Sequence, residues 1–299
     1  DLAIKTLAVD GNCIYAGSSN GKLYLSNNYG ENWTEIAVGI IPNEINSIAL
    51  FDNYIFVATT SKGVFISSDK GVNWTNSNQG LTDLFIESIA IYKQKIFAGT
   101  QSGLFVSDNY GNSWEKVESL NINNYIYNIS IIDGTIIIAA TGGCFASTDD
   151  GATWHQNNAG LSNYNVNSIA IRGNNIFTGN YMGGTFLSTD YGESWANKIF
   201  GLGKNFSVYS MIFRDTIIYA ASNGGFYFST SNGYYWERRS SGLESTTCKS
   251  FIINNDIFYL GTYDGFYYST NFGEIWNESS SGLTNDSVIA LYKDDNYIF

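Results

Sequence analysis

Apolar residues along this chain fall in short runs, each cut by Gly, Asn, Asp or Ser. Ser47-Ile48-Ala49-Leu50 is one run, broken by Phe51-Asp52-Asn53. Tyr54-Ile55-Phe56-Val57-Ala58 comes next, Ser61-Lys62-Gly63 breaks it, and Val64-Phe65-Ile66-Ser67 follows. Runs of β-branched and aromatic residues between turn formers predict strands. No segment sustains an apolar period of 3.6 residues, so helices should be nearly absent.

The pattern repeats. Seven tryptophans, Trp33, Trp74, Trp114, Trp154, Trp195, Trp236 and Trp276, follow one another at spacings of 40 or 41 residues. Each closes a string of the form Ser-x-Asx-x-Gly-x-x-Trp. The strings carry Asn28 and Gly30, Asp69 and Gly71, Asn109 and Gly111, and Asp149 and Gly151. Asp190 and Gly192, Ser231 and Gly233, and Asn271 and Gly273 complete the set. With four strands per repeat of about 40 residues, the fold class is all-β, a β-propeller of four-stranded blades. An aromatic recurs two residues before each box Ser: Tyr24, Phe65, Phe105, Phe145, Phe186, Tyr227 and Tyr267. Its neighbours are mostly apolar, so the third strand should be buried on both faces, as between stacked blades.

The string resembles the Asp-box, or BNR repeat, and the resemblance spans essentially the whole chain. Proteins carrying that repeat include sialidases, plant-polysaccharide hydrolases, sortilin-like receptors, assembly factors of the Ycf48 type and secreted bacterial surface proteins. The resemblance implies that each box is a hairpin between the third and fourth strands, on the face away from any active site. The residues support a structural role. A short Asx side chain can accept backbone N–H bonds and hold a turn. The Gly supplies positive φ, and the Trp buries a large ring. The Asx position varies among Asp, Asn and Ser, which suits a turn acceptor and not a catalytic carboxylate.

Residues 1–299 read as a single propeller domain, part of a longer chain. Seven complete repeats end near Ser281. Ser287-Val288-Ile289-Ala290-Leu291 and Asn296-Tyr297-Ile298-Phe299 then match the first two strands of another. The N-terminus supplies its own first strand, Thr6-Leu7-Ala8-Val9, so this reading favours eight blade positions over seven.

Composition narrows the function. The net charge of −12 disfavours nucleic acid and anionic membrane surfaces as partners. No run has the length of a membrane-spanning helix, so direct membrane insertion is not expected. The one histidine, His155, follows Trp154 at a position that is Thr34, Thr75 or Glu115 elsewhere, which reads as an exposed outer-strand site. Cys13, Cys144 and Cys248 form no CxxC pair, and Cys144 replaces a buried apolar residue of other repeats. No metal or cofactor is expected. Sialidase chemistry would need three arginines gripping a carboxylate. Only Arg172, Arg214, Arg238 and Arg239 are present, at turn or outer-strand positions, and the Arg-Ile-Pro signature is missing. The Ycf48 type is implied to use a basic patch, for which arginines are too few. Other glycosidases need a pair of carboxylates. Glu44, Asp83, Glu87, Glu244, Asp264 and Asp286 lie in loops or strand starts opposite the boxes.

With the boxes structural, function belongs on the opposite face, where repeats differ. The candidate binding residues there are Phe85, Tyr125, Tyr127, Tyr164, Tyr181, Met182, Phe206, Tyr209, Tyr263 and Asp264. Exposed aromatics beside Asn suit protein or glycan ligands. The expectation is therefore a non-catalytic, extracellular or cell-surface binding or scaffold module. A glycoside hydrolase is the first alternative and an assembly factor of the Ycf48 type the second.

Overall fold

In the computed structural model the described residues are 4–28, 32–37, 43–120, 125–132, 134–156, 158–162, 165–190, 192–203, 205–254, 256–280 and 287–291. They form seven antiparallel sheets of four strands, each in sequential order. The blades cover residues 4–36, 45–76, 86–116, 126–156, 166–197, 208–238 and 248–278. The fold is a seven-bladed β-propeller with one 3-10 turn, Glu118–Leu120, among the described residues. Boundaries follow the repeat: a seven-residue inner strand, a six-residue second strand, a third of four or five, and a short outer one. The short outer strands leave little unpaired edge to recruit another chain.

The preference for eight blade positions gives way to seven four-stranded blades. Residues 287–291 form no strand. They lie along blade 7, where the Val288 N–H donates to the Thr262 carbonyl at 2.8 Å and the Leu291 N–H to Ser250 Oγ at 3.0 Å. The matching run at 296–299 is outside the described residues.

The chain divides into two compact units. One holds Asp1–Ile138 and Ser147–His155, the other Ala139–Ala146 and Gln156–Ile298. In each, the core lies between consecutive blades. In the first unit, one cluster joins Tyr15 and Leu23 of blade 1 to Ile48, Val57 and Phe65 of blade 2. A second joins Phe56 and Val64 of blade 2 to Ile89, Ala98 and Phe105 of blade 3. In the second unit, Phe177 and Leu187 of blade 5 meet Met211, Tyr227 and Trp236 of blade 6. Blade 6 meets blade 7 through Tyr219, Phe226, Phe251 and Phe258. This explains a third strand that is apolar on both sides: in blade 2, Phe65 belongs to the cluster with blade 1 and Val64 to the cluster with blade 3.

A box Trp packs on the preceding blade. The Trp114 indole N–H donates to the Ser77 carbonyl, that of Trp236 to Lys198, and that of Trp276 to Arg239. The burial expected of the box Trp holds for Trp114, Trp154, Trp195, Trp236 and Trp276. Trp74 is half-buried, and Trp33, in the first blade of the chain, is 41% exposed.

Candidate functional site

The boxes are closed hydrogen-bonded turns. In blade 2, Asp69 Oδ1 accepts the Val72 N–H at 3.1 Å, the Asn73 N–H at 2.8 Å and the Ser67 hydroxyl at 2.8 Å. Ser67 Oγ accepts the Gly71 N–H at 2.7 Å. Asp149 and Asp190 repeat this geometry on Thr153 and Ser194. The donors around each carboxylate hold its pKa down to about 2 for Asp69, Asp149 and Asp190. Asn28, Asn109, Ser231 and Asn271 fill the same place with one acceptor atom. Gly30 lies outside the described residues.

At the opposite ends of the inner strands a different regularity appears. Six of the seven inner strands start with a β-bulge against the second strand of their blade. Ile4 pairs with Ser18 and Thr6 with Gly17, so Lys5 is skipped. The same shift skips Asn46, Glu87, Asn167, Tyr209 and Lys249. A bulge leaves its extra residue out of the ladder and re-aims its side chain. These six residues are all half-buried, and the side-chain chemistry at this fixed position changes from one of these blades to the next. The repeat register sets Tyr127 in the corresponding place in blade 4.

Two aromatic groups form around this row. In the first unit, the Tyr125 hydroxyl donates to Glu87 Oε2 at 2.8 Å. Its ring stacks on Tyr127 with centroids 4.6 Å apart and meets the Phe85 ring edge-on at 5.7 Å. Asp83 Oδ1 accepts the Phe85 N–H at 3.0 Å and fixes that loop. Burial first, and then Glu87, push the Tyr125 and Tyr127 phenols above their ordinary pKa, so both stay neutral.

In the second unit, the Lys249 ammonium lies 3.7 Å from the Tyr209 ring centroid and 4.8 Å from that of Tyr263. An ammonium between two ring faces is a cation–π arrangement. Tyr181, Met182 and Tyr263 are exposed, and so is Asp264. The Met182 N–H donates to Ser207 Oγ at 2.9 Å, holding that loop in a left-handed turn.

Of the ten expected binding residues, Phe85, Tyr125 and Tyr127 gather in the first group. Tyr209 and Tyr263 gather in the second through Lys249. Phe206 needs correction. It is buried, with its ring edge-on to Tyr227 at 4.9 Å, and it belongs to the core between blades 5 and 6. An aromatic in a linking loop has the same composition whether it faces solvent or closes a sheet end. Tyr164 lies outside the described residues, as does Asp286. Lys5, Asn46, Asn167 and Lys249 were missed: their column changes residue type from blade to blade, but so does the last inner-strand column, with Asp10, Phe51, Tyr92, Arg172 and Asn254, so variation alone did not mark them.

The remaining candidates have structural settings. His155 is exposed in the outer strand His155–Gln156. Cys144 and Cys248 are buried, and burial pushes both thiols up to about 12. Among the described residues, no three His, Cys, Asp or Glu side chains gather as a metal site would need. No helix of the described residues is long and apolar enough to cross a membrane.

No protein-family model matches the chain, and no curated protein matches its sequence. Solved structures do match. The computationally designed Ika8 protein is 14% identical, with a TM-score of 0.74 over 99% of this chain and 92% of that one. YCF48 from Cyanidioschyzon merolae is 16% identical, with a TM-score of 0.67 over 90% and 95%. YCF48 bound to D1 peptide gives 15% and 0.59 over 74% and 76%. The GH74 xyloglucanase of Xanthomonas campestris is 14% identical, with a TM-score of 0.69. The match takes 94% of this chain but 55% of that enzyme. At these identities the likeness establishes the β-propeller fold alone.

Proposed function

We propose that this protein is a non-catalytic β-propeller module, extracellular or on a cell surface. In this reading it binds an extended protein segment through the residues its inner-strand bulges present. The observation that carries it is the bulge row. In the second unit one backbone device, repeated in three consecutive blades, offers Asn167, Tyr209 and Lys249 in turn, with Tyr263 beside Lys249. Amide, charge and aromatic groups on rigid strands suit the alternating polar and apolar demands of a peptide. That YCF48, with the same fold, is solved with a D1 peptide fits a peptide-binding propeller.

The hydrolase alternative fares less well on the carboxylates. Glu44 is bound by the Lys5 ammonium at 2.5 Å and by the Thr60 hydroxyl, and Glu87 is occupied by the Tyr125 phenol. Carboxylates already engaged by these side chains are not free to flank a glycosidic bond as a catalytic pair would.

The test is a phage-displayed random peptide library panned on the protein, with selected peptides measured by fluorescence anisotropy. Tyr209→Ala and Lys249→Ala should weaken the selected peptides at least tenfold with unchanged melting. Peptides indifferent to these variants and to Tyr125→Ala would overturn the choice of site. Release of reducing sugar from a polysaccharide panel would overturn the non-catalytic reading.

A further inference from the structure

A second surface lies where the box of blade 6 meets the chain leaving blade 5. Four consecutive-pair positions there depart from the repeat. The two residues before the box Trp are Val72-Asn73, Asn112-Ser113, Ala152-Thr153 and Glu193-Ser194 in boxes 2 to 5, but Tyr234-Tyr235 in box 6. The residues before the conserved Gly-Leu of the linker are Asn78-Gln79, Asn158-Ala159 and Ser240-Ser241 elsewhere, but Ile199-Phe200 after blade 5.

Two of the departures, Ile199 and Tyr235, each remove a side-chain hydrogen bond that the repeat makes elsewhere. Asn78, Asn158 and Ser240 accept the N–H of Val64, Cys144 and Phe226 at 2.9, 2.9 and 3.1 Å, and an Ile cannot. Thr153 and Ser194 donate their hydroxyls to the box carboxylate, and Tyr235 faces Ser231 in its place. Structure is therefore given up, and solvent-facing aromatic surface is gained. Phe200 and Tyr234 are each 68% exposed, and Tyr235 and Ile199 about half.

The three rings form one platform. The Phe200 centroid is 6.4 Å from Tyr234, with planes 27° apart, and 5.6 Å from Tyr235. The Lys198 ammonium lies 5.9 Å from the Tyr234 ring centroid. The platform borders a cleft of about 470 Å³. Its backbone is rigid: the Trp236 N–H donates to the Phe200 carbonyl at 2.9 Å, and the Trp236 indole to Lys198 O.

We propose that this platform binds a neutral polysaccharide, its sugar rings lying on Phe200, Tyr234 and Tyr235. Pyranose rings present apolar C–H faces and hydroxyl edges. Exposed aromatic faces take the former, while the tyrosine hydroxyls and the Lys198 ammonium take the latter. The chain's charge of −12 disfavours an acidic polymer, and one lysine does not offset it. The site is separate from the bulge row and does not depend on the peptide reading.

The test is affinity gel electrophoresis in xyloglucan, galactomannan or laminarin, with polygalacturonate as the acidic comparison. Retardation by at least one neutral polymer is expected, with none by polygalacturonate. The Phe200→Ala/Tyr234→Ala variant should lose at least tenfold in affinity at unchanged melting temperature, and Tyr209→Ala/Lys249→Ala should retain it. No retardation by any neutral polymer would overturn the proposal, as would retardation that survives the Phe200/Tyr234 change. Loss only in the Tyr209/Lys249 variant would move glycan binding to the bulge row. Concentration-dependent dimerisation abolished by Phe200→Ala/Tyr234→Ala, without retardation, would make a second copy of the chain the occupant.

Discussion

Boxes 5 and 6 stand side by side in the chain and build one turn from two chemistries. In box 5, Ser188 Oγ accepts the Gly192 N–H at 2.7 Å, and Asp190 takes the Ser188 hydroxyl, the Ser194 N–H and the Ser194 hydroxyl. In box 6, Ser229 Oγ accepts the Gly233 N–H at 3.0 Å, and Ser231 Oγ accepts the Tyr235 N–H at 2.9 Å. The first Ser, the left-handed Gly and the Trp are kept. Only the second carboxylate oxygen and its hydroxyl donor are gone. The turn therefore rests on backbone bonds that either side chain can accept, and the second oxygen is an addition. Positions not needed for the turn are where a repeat protein can afford a site.

The largest expected effects fall on the joint that links the two boxes. Gly201 has φ +93°, and a Cβ there would meet the Trp236 carbonyl oxygen at 2.2 Å. Gly201→Ala should cost more than about 3 kcal/mol in urea unfolding, through strain and backbone displacement together. Gly11, also at positive φ, has nothing within 4 Å, and Gly11→Ala should cost about 1 kcal/mol. Equal costs would mean that the blade 5 to blade 6 joint yields. Trp236→Ala should lose about 3–5 kcal/mol by opening a core cavity. Trp33→Ala, at the 41% exposed end of the series, should lose about 1 kcal/mol. A large loss at Trp33 would show that its ring is covered in solution.

A smaller effect separates the two boxes. Ser231→Ala removes one acceptor and should cost about 1 kcal/mol. Asp190→Ala removes the partner of three donors, and its melting temperature should fall further. If Ser231→Ala were the worse of the two, the second carboxylate oxygen would count for nothing, and box 6 would have lost no stability in diverging.

The difference between boxes also marks how far the sequence could be read. The box string, at one spacing along the whole chain, revealed four-stranded blades and their strand order, because packing between blades forces the same apolar columns to recur. Residues 287–291 misled by the same logic. They match an inner strand and lie on blade 7 as one does, yet matching residues do not supply a second strand to pair with. The site was harder. Phe206 and Tyr209 sit three residues apart in similar loop sequence, but one closes the core and the other faces Lys249. A bulge has no residue signature, so Lys249 and Lys5 looked like ordinary strand positions until the pairing register was known. Tyr234 and Phe200 were visible as departures from the repeat. A structural role for every box hides Tyr234, and Phe200 lies in a linker outside any box.

The smallest effect is in the pH dependence, and it tests the comparison most directly. Asp190 has its pKa lowered to about 2, chiefly by the Ser194 and Ser188 hydroxyls and the Ser194 N–H, against an ordinary value of 3.8. A carboxyl whose folded pKa is depressed binds protons more readily when unfolded. Its stabilisation is then whole above about pH 4 and is lost as pH falls toward 2. The melting temperature should fall over that window, and Asp190→Asn should flatten part of the fall while changing little at pH 7. Asp69 and Asp149 carry the same shift and act in the same direction. Box 6 has no carboxylate at this position. Ser231→Asp with Tyr235→Thr should therefore steepen the acid limb and raise the melting temperature slightly at pH 7. A steeper limb with no gain at neutral pH would mean that the carboxylate adds acid sensitivity without stabilising the turn.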